Sequence, residues 1–176
     1  MKIHFSTVGS IHPIIASNYN DLGLVYEAKG DYDLAIETYT NALNIWLKTV
    51  GPEHPDVAAT YNNLGNAYHS KQEYLIAINC YNKALELRIK TLGPEHPYVA
   101  YIYNNLGLLT AATENYEQSV EFYQKALSIF LKSTSPDSLK IAGTYNNLGG
   151  TYHSLGKHDL AMKYYQNALE YRINAF

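Results

Sequence analysis

The chain has 176 residues, a formal net charge of −3 and 47% hydrophobic residues, and this hydrophobic fraction is ordinary for a globular protein. This balance argues against a nucleic-acid-binding surface, which would need clustered Lys and Arg. No apolar run approaches the ~20 residues that span a bilayer, and no signal-peptide pattern follows Met1. With Cys80 as its single cysteine, the sequence is typical of a reducing compartment. We therefore expect a cytoplasmic protein without a membrane anchor.

A nine-residue motif recurs four times along the chain. Its clearest copy is Thr60–Tyr68, and the glycine of each copy follows the previous one by 42 residues: Gly23, Gly65, Gly107 and Gly149. A fixed period of this length indicates a stacked repeat array with one continuous core. The predicted units are a tail, 1–8, and four repeats, 9–50, 51–92, 93–134 and 135–176.

The tail matches the end of a repeat, because residues 1–9 overlay 43–51 when shifted by one period. We interpret it as the end of the second helix of a preceding repeat. The C-terminal residues stop in the same register, and neither end carries an obvious polar cap, which solenoids normally need. The sequence is therefore interpreted either as a piece of a longer array or as a module that self-associates through its end faces.

Each repeat opens with a turn, Gly-Pro-Glu-His-Pro at 51–55 and 93–97. Glycine suits the position just after a helix, and proline suits the first helical turn. Three histidines at this turn are expected to cap the following helix, namely His12, His54 and His96. Ser138 takes the same place in the fourth repeat and is expected to cap there.

Two helices per repeat follow from the apolar spacing. In the second repeat the first helix is predicted at roughly 55–70, with an apolar stripe of Val57, Tyr61, Leu64 and Tyr68. Gly65 lies on this stripe at a cost of about 1 kcal/mol relative to alanine, which indicates that the partner helix approaches too closely for a side chain. The second helix carries small residues alternating with core tyrosines: Tyr39, Tyr81, Tyr123 and Tyr165.

The spacing of Tyr61, Leu64, Gly65, Tyr68, Tyr74, Ala77, Tyr81 and Ala84 resembles a tetratricopeptide repeat. The 42-residue length, together with Tyr-Asn-Asn-Leu-Gly and Gly-Pro-Glu-His-Pro, is similar to the repeats of kinesin light chains. The resemblance implies an all-α fold, a right-handed tetratricopeptide repeat (TPR) superhelical solenoid of antiparallel helix pairs. It also implies that the first helix of each pair lines a concave groove, in which kinesin light chains receive cargo-adaptor peptides.

The recurrent polar feature is a pair of asparagines in the middle of three first helices, with Asn20-Asp21 in the first repeat. Asparagine is a mediocre helix former at such positions. Side-chain amides donate and accept hydrogen bonds, as a peptide backbone does, so we predict a peptide-binding ladder. Its candidate residues are Asn20, Asp21, Asn62, Asn63, Asn66, His69, Asn104, Asn105, Asn146, Asn147 and His153. The alternative is that one or both members of each pair fix the stacking of neighbouring repeats. Asn63, Asn105 and Asn147 are favoured for ligand contact, and Asn62, Asn104 and Asn146 for contact with the adjacent helix.

Two features distinguish this groove from that of kinesin light chains. It carries almost no Lys or Arg, so it lacks the positive potential that would attract an acidic cargo peptide. The third repeat has Thr110 where a tyrosine is expected, followed by Ala111-Ala112-Thr113, which predicts a shallow pocket. The basic residues on the second helices are interpreted as a solvated outer face: Lys83, Lys90, Arg88, Lys125, Lys132, Lys163 and Arg172.

The polar residues recur with the repeat and do not converge, whereas catalysis needs unlike groups at one place. We therefore expect neither an enzyme nor a cofactor or metal site, but a scaffold that binds a protein or peptide and no nucleic acid. The alternative function is a homo-oligomer that associates through its end repeats. Its contact residues would be Trp46, Phe130, Tyr171 and Phe176.

Overall fold

The computed structural model describes residues 11–134 and 137–175, and within these ranges it contains eight α-helices and no strand. The helices are α1 Pro13–Lys29, α2 Tyr32–Thr49, α3 Pro55–Ser70, α4 Tyr74–Leu92, α5 Pro97–Ala112, α6 Tyr116–Lys132, α7 Ser138–Ser154 and α8 His158–Ile173. The all-α class is confirmed, and the first helix of the second repeat has the predicted bounds. The predicted tail 1–8, the start of the turn at 135–136 and Phe176 lie outside the described residues.

The chain divides between Leu87 and Arg88 into two compact units. In unit 1, which ends at Leu87, α1 packs on α2 and α2 packs on α3. In unit 2, which begins at Arg88, α5 packs on α6, α6 on α7 and α7 on α8. Each unit thus repeats the same contact, in which the second helix of one pair lies against the first helix of the next. Among the described residues, no helix combines the length and the apolar character that crossing a membrane would require.

The first helices begin at side-chain caps. The Nδ1 atoms of His12, His54 and His96 accept hydrogen bonds from the backbone N–H two residues later, at 3.2, 3.3 and 3.2 Å. The predicted histidine caps are therefore confirmed, since each satisfies one backbone donor that the helix leaves unpaired. In the fourth repeat the prediction of Ser138 is wrong. Asp137 caps α7 instead, because its carboxylate accepts from the N–H groups of Leu139 and Lys140 at 3.0 and 3.1 Å.

The break between the two helices of each pair needs one residue in the left-handed region. Gly30 and Gly156 occupy it with φ of 82° and 70°. At the equivalent positions of the middle repeats, Gln72 and Glu114 adopt φ of 64° and 60°. A side chain in this conformation is strained, so the tight turn is maintained in the middle repeats at some cost in stability.

The recurrent glycines explain how closely the paired helices approach. A Cβ atom built on Gly65 would lie 2.5 Å from the Tyr81 ring, and one on Gly23 would lie 2.3 Å from the Tyr39 ring. Gly107 and Tyr123 show the same relation at 2.6 Å. The predictions of close approach and of core tyrosines are confirmed for these three pairs. The fourth tyrosine, Tyr165, is 41% exposed, so it is not a core residue in the described structure.

Two sequence-based assignments are wrong because the side chains are buried. Trp46 and Phe130 are covered within their own units, where Trp46 stacks on His54 and Phe130 contacts the edge of Tyr101. They are not available as contacts for self-association. Arg88 does not belong to a solvated face, since it is buried with its guanidinium 4.8 Å from the centre of the Tyr98 ring.

Candidate functional site

In unit 1 the asparagines of neighbouring repeats bond to each other. Nδ2 of Asn63 on α3 donates to Oδ1 of Asn20 on α1 at 3.0 Å, and both residues are half-buried. This bond joins two first helices that touch otherwise at few points. Asn63, favoured from sequence for ligand contact, therefore also fixes the stacking of two repeats.

The predicted site residue Asn66 and the neighbouring residue Glu27 accept hydrogen bonds from the core tyrosines of unit 1. Oδ1 of Asn66 accepts a hydrogen bond from the Tyr81 hydroxyl at 2.9 Å. Glu27 on α1 accepts a hydrogen bond from the Tyr39 hydroxyl at 2.8 Å. Burial raises the pKa of Glu27, and the bond from Tyr39 opposes that rise. Both phenol hydroxyls are held in place by these acceptors.

The other three predicted site residues of unit 1 differ in their exposure and contacts. Asp21 is exposed on α1, while Asn62 is half-buried and engaged by another residue. His69 is half-buried with its ring 5.8 Å from that of Tyr74, and burial lowers the pKa of its imidazole. His69 is therefore a neutral hydrogen-bonding group near pH 7 and not a cation.

The asparagines of unit 2 are arranged differently. Asn104 is the equivalent of Asn20, but its Oδ1 is buried without a hydrogen-bond partner among the residues that the structure describes. Asn147, the equivalent of Asn63, does not donate to it. Asn146 is exposed and Asn105 is half-buried with a partner. The inter-repeat asparagine bond of unit 1 is thus missing between Asn104 and Asn147 of unit 2.

Asn147 lines a pocket of about 350 Å³, which we call the groove pocket. Its walls come from all four helices of unit 2 beyond α4, and they consist of Leu108, Ala111, Tyr116, Tyr123, Asn146, Asn147, Gly150, Thr151, Ser154 and Tyr165. No Lys, Arg, Asp, Glu or His is among them. The walls therefore combine amide and hydroxyl groups with aromatic and aliphatic surface, without formal charge.

The groove pocket exists because two positions carry small residues. Ala111 stands where the first repeat has Glu27, and Gly150 stands where the second has Asn66. Those two residues hold the tyrosine hydroxyls in unit 1. The pocket predicted around Ala111 is confirmed, although Thr110 itself is buried and bonds to backbone carbonyls of its own helix.

The phenol of Tyr123 forms part of this pocket and is neutral. Burial raises the pKa of its hydroxyl, and a hydrogen bond with Ser119 opposes the rise. Ser119 is itself buried and donates to the carbonyl of Gly107 at 2.9 Å, with the Thr151 hydroxyl 3.4 Å away. The wall is thus a hydrogen-bonded layer that keeps Tyr123 and Thr151 fixed.

His153 does not join the groove pocket. It is exposed near the end of α7, with its ring 5.3 Å from that of His158. Sequence reasoning also missed Tyr123, Gly150 and Tyr165 as groove residues, because it assigned the tyrosines wholly to the core. A position-by-position comparison of the four repeats would have found the small residues Ala111 and Gly150.

Within 11–134 and 137–175, no cluster of three or more His, Cys, Asp or Glu side chains could hold a metal ion.

Comparisons with known proteins agree with this geometry. The family model for the tetratricopeptide repeat matches residues 14–90, 58–132 and 98–174. No curated protein matches the chain. Among solved structures, BtubC (BKLC) from P. vanneervenii is similar with a TM-score of 0.85 and 27% identity, over 94% of this chain and 67% of that one.

Two further structures share the fold. A Podosopora anserina protein described as a kinesin light chain with nearly identical TPR-like repeats has a TM-score of 0.79 and 21% identity, over 94% of this chain and 78% of that one. MamA has a TM-score of 0.66 and 24% identity, over 90% of this chain and 79% of that one. The first of these agrees with the resemblance to kinesin light chains drawn from the repeat sequence.

Proposed function

Because this chain belongs to the tetratricopeptide repeat family, we propose that it is a non-catalytic scaffold that binds an extended peptide in the groove pocket. Tetratricopeptide repeats are a protein–protein interaction fold and their proteins are generally non-catalytic. The observation that carries the finer proposal is the uncharged pocket that opens beside Asn146 and Asn147.

The polar wall suits a peptide main chain. An extended segment presents one N–H and one C=O per residue, and a side-chain amide matches both with its own donor and acceptor. Asn147 supports this role because it lines the pocket, while Oδ1 of Asn104, the equivalent of Asn20, has no hydrogen-bond partner among the described residues. A bound main chain that bonds to Asn147 would replace the inter-repeat bond that unit 1 makes internally.

The apolar wall suits one large uncharged side chain of the ligand. Tyr123 and Tyr165 present aromatic surface, and Leu108 and Ala111 present aliphatic surface. A charged side chain would be buried here without a partner, at a cost of several kcal/mol. The ligand therefore carries an aromatic or aliphatic anchor residue, and the specificity of kinesin light chains for acidic cargo does not transfer to this pocket.

The test is a peptide-display selection against the wild-type chain and a variant with the pocket filled. Ala111→Glu and Gly150→Asn introduce the residues that unit 1 carries at these positions. A Cβ atom on Gly150 would lie 3.6 Å from the Tyr165 hydroxyl, so the backbone accepts the change. Ala112→Glu is the matched control, since Ala112 is exposed and does not line the pocket.

We expect the wild type and the Ala112→Glu control to select one common motif with an aromatic or aliphatic anchor. The filled variant should select none, while its thermal unfolding stays at or above that of the wild type. An equally strong selection by the filled variant would refute the pocket as the binding site, and so would the absence of any motif with the wild type.

A further inference from the structure

The outer faces of α1 and α8 expose apolar residues that are covered in the interior of the units. On α8, Tyr165 and Leu169 are 41% and 59% exposed, together with Met162. On α1, Leu22 and Val25 are 47% and 52% exposed. The equivalent residues on α3 and α7 are buried. These two faces, which we call the α1 face and the α8 face, are apolar surfaces of the kind that marks an interaction site.

The contact between α2 and α3 shows what each face fits. In unit 1, Ile36, Tyr39 and Leu43 of α2 pack with Leu64 and Ala67 of α3 in one core cluster. Shifted by three repeats, the α2 residues become Met162, Tyr165 and Leu169 of the α8 face. Shifted by one repeat, the α3 residues become Leu22 and Val25 of the α1 face. The two faces are therefore the two halves of an interior contact.

The charges at the edge of this contact also match. In unit 1, Nζ of Lys71 lies 2.8 Å from Oδ1 of Asp33, and it also pairs with Glu73 on its own side of the contact. The equivalents of Asp33, Lys71 and Glu73 are Asp159 on the α8 side and Lys29 and Asp31 on the α1 side. Asp159 and Lys29 are both exposed. The pair of faces thus carries the same arrangement of charges as the ion pair at the edge of the α2–α3 contact.

The shape fits as well. Between α6 and α7 the hydroxyls of Ser119 and Thr151 lie 3.4 Å apart in a buried contact. Their equivalents on the two faces are Ala161 and Val25. Valine has the shape of threonine, and alanine is serine without its hydroxyl, so both polar groups are lost together and neither is left unpaired.

We propose that the α8 face of one copy of this chain packs on the α1 face of a second copy, in the register of the α2–α3 contact. The asparagine bond between α1 and α3 also has a counterpart, because Asn63 corresponds to Asp21 and Asn20 to Asn146. The amide of Asn146 donates to the Asp21 carboxylate of the second copy. Such a contact joins two different surfaces, so each added copy leaves one α1 face and one α8 face open.

Two substitutions test the register, one on each face. Leu22→Asp blocks the α1 face and Leu169→Asp blocks the α8 face, and both residues are exposed, so neither change disturbs the fold of one copy. Sedimentation velocity should show a mean mass that grows with concentration for the wild type. Each variant alone should associate about tenfold or more weakly.

An equimolar mixture of the two variants distinguishes this contact from a symmetric one. The intact α8 face of the Leu22→Asp copy meets the intact α1 face of the Leu169→Asp copy, so the mixture should form a 1:1 dimer and nothing larger. A wild type that stays monomeric at hundreds of micromolar would overturn the proposal. A mixture that associates no better than its components would overturn it too.

Charge reversal tests the ion pair separately. Lys29→Asp and Asp159→Lys should each weaken association several-fold, and the double variant should restore it. Glu86→Lys, an equal charge change at an exposed residue of α4, is the control and should leave association unchanged. If the double variant is no stronger than the single ones, Lys29 and Asp159 do not meet, and the proposed register is wrong.

Discussion

Replacing Gly65 by alanine should destabilise unit 1, although alanine is the better helix former. The added Cβ would lie 2.5 Å from Cε1 of Tyr81, whereas non-bonded carbons prefer about 3.5–4.0 Å. The ring cannot retreat, because Tyr81 is 1% exposed and its hydroxyl donates to Asn66 at 2.9 Å. The helices themselves would have to separate.

The magnitude follows from two opposing effects. Overpacking a well-filled core costs about 1–3 kcal/mol, and a fixed ring places this site at the upper end. Alanine returns about 1 kcal/mol of helix propensity relative to glycine. We therefore expect Gly65→Ala to lower the free energy of unfolding of unit 1 by about 2 kcal/mol.

Urea unfolding measures this directly. Trp46 is the single tryptophan and is buried in unit 1, so its fluorescence reports on that unit. The control is Gly143→Ala on α7, where a Cβ would meet no atom within 4 Å. Followed by circular dichroism, it should raise stability by about 1 kcal/mol. If Gly65→Ala is as stable as the wild type, the Tyr81 ring is not the reason that position 65 carries glycine.

Three further perturbations test local features. His54→Ala should lower the stability of unit 1 by about 0.5–1 kcal/mol in urea unfolding, because α3 loses its cap; an unchanged midpoint would contradict the capping bond. Gln72→Gly should raise stability by about 1 kcal/mol, because a side chain in the left-handed region is strained, whereas Gly30→Ala should lower it; equal signs for the two changes would contradict the strain. Burial raises the pKa of Glu27, so its contribution to stability is present below the unfolded pKa and is lost as pH rises through the folded pKa. Glu27→Gln should remove that decline when urea midpoints are compared from about pH 4 to pH 7; parallel profiles for variant and wild type would contradict the assignment.

Much of the fold could be predicted because most repeats carry the same residues at the positions where the first helix begins. Glycine after a helix, proline in the first turn and a histidine before it indicated where α3 and α5 begin, at Pro55 and Pro97. The exception is α7, which begins one residue earlier in its repeat. Position alone pointed to Ser138, but Asp137 can satisfy two backbone donors with one carboxylate, so the helix starts where that bond is made.

The candidate site could be predicted only in part, because equivalent residues do not share one environment. Asn63 and Asn147 occupy the same repeat position, yet Asn63 bonds to Asn20 while Asn147 faces a pocket. Sequence periodicity treats them as one class. Their difference comes from neighbours, since Ala111 and Gly150 leave space that larger side chains fill in unit 1. Arg88 was misplaced for a similar reason, as the ring of Tyr98 that covers it is ten residues away along the chain.

The most direct measurement of the central claim is calorimetric titration of a selected peptide into two single variants, Asn147→Ala and Asn63→Ala. Each removes the same amide from the same repeat position. Asn147→Ala should weaken peptide binding by about tenfold, the loss of one to two buried hydrogen bonds, with thermal unfolding unchanged. Asn63→Ala should lower thermal stability and leave the affinity as it is. If both variants bind like the wild type, or if Asn63→Ala alone loses the peptide, the groove pocket is not where the ligand is held.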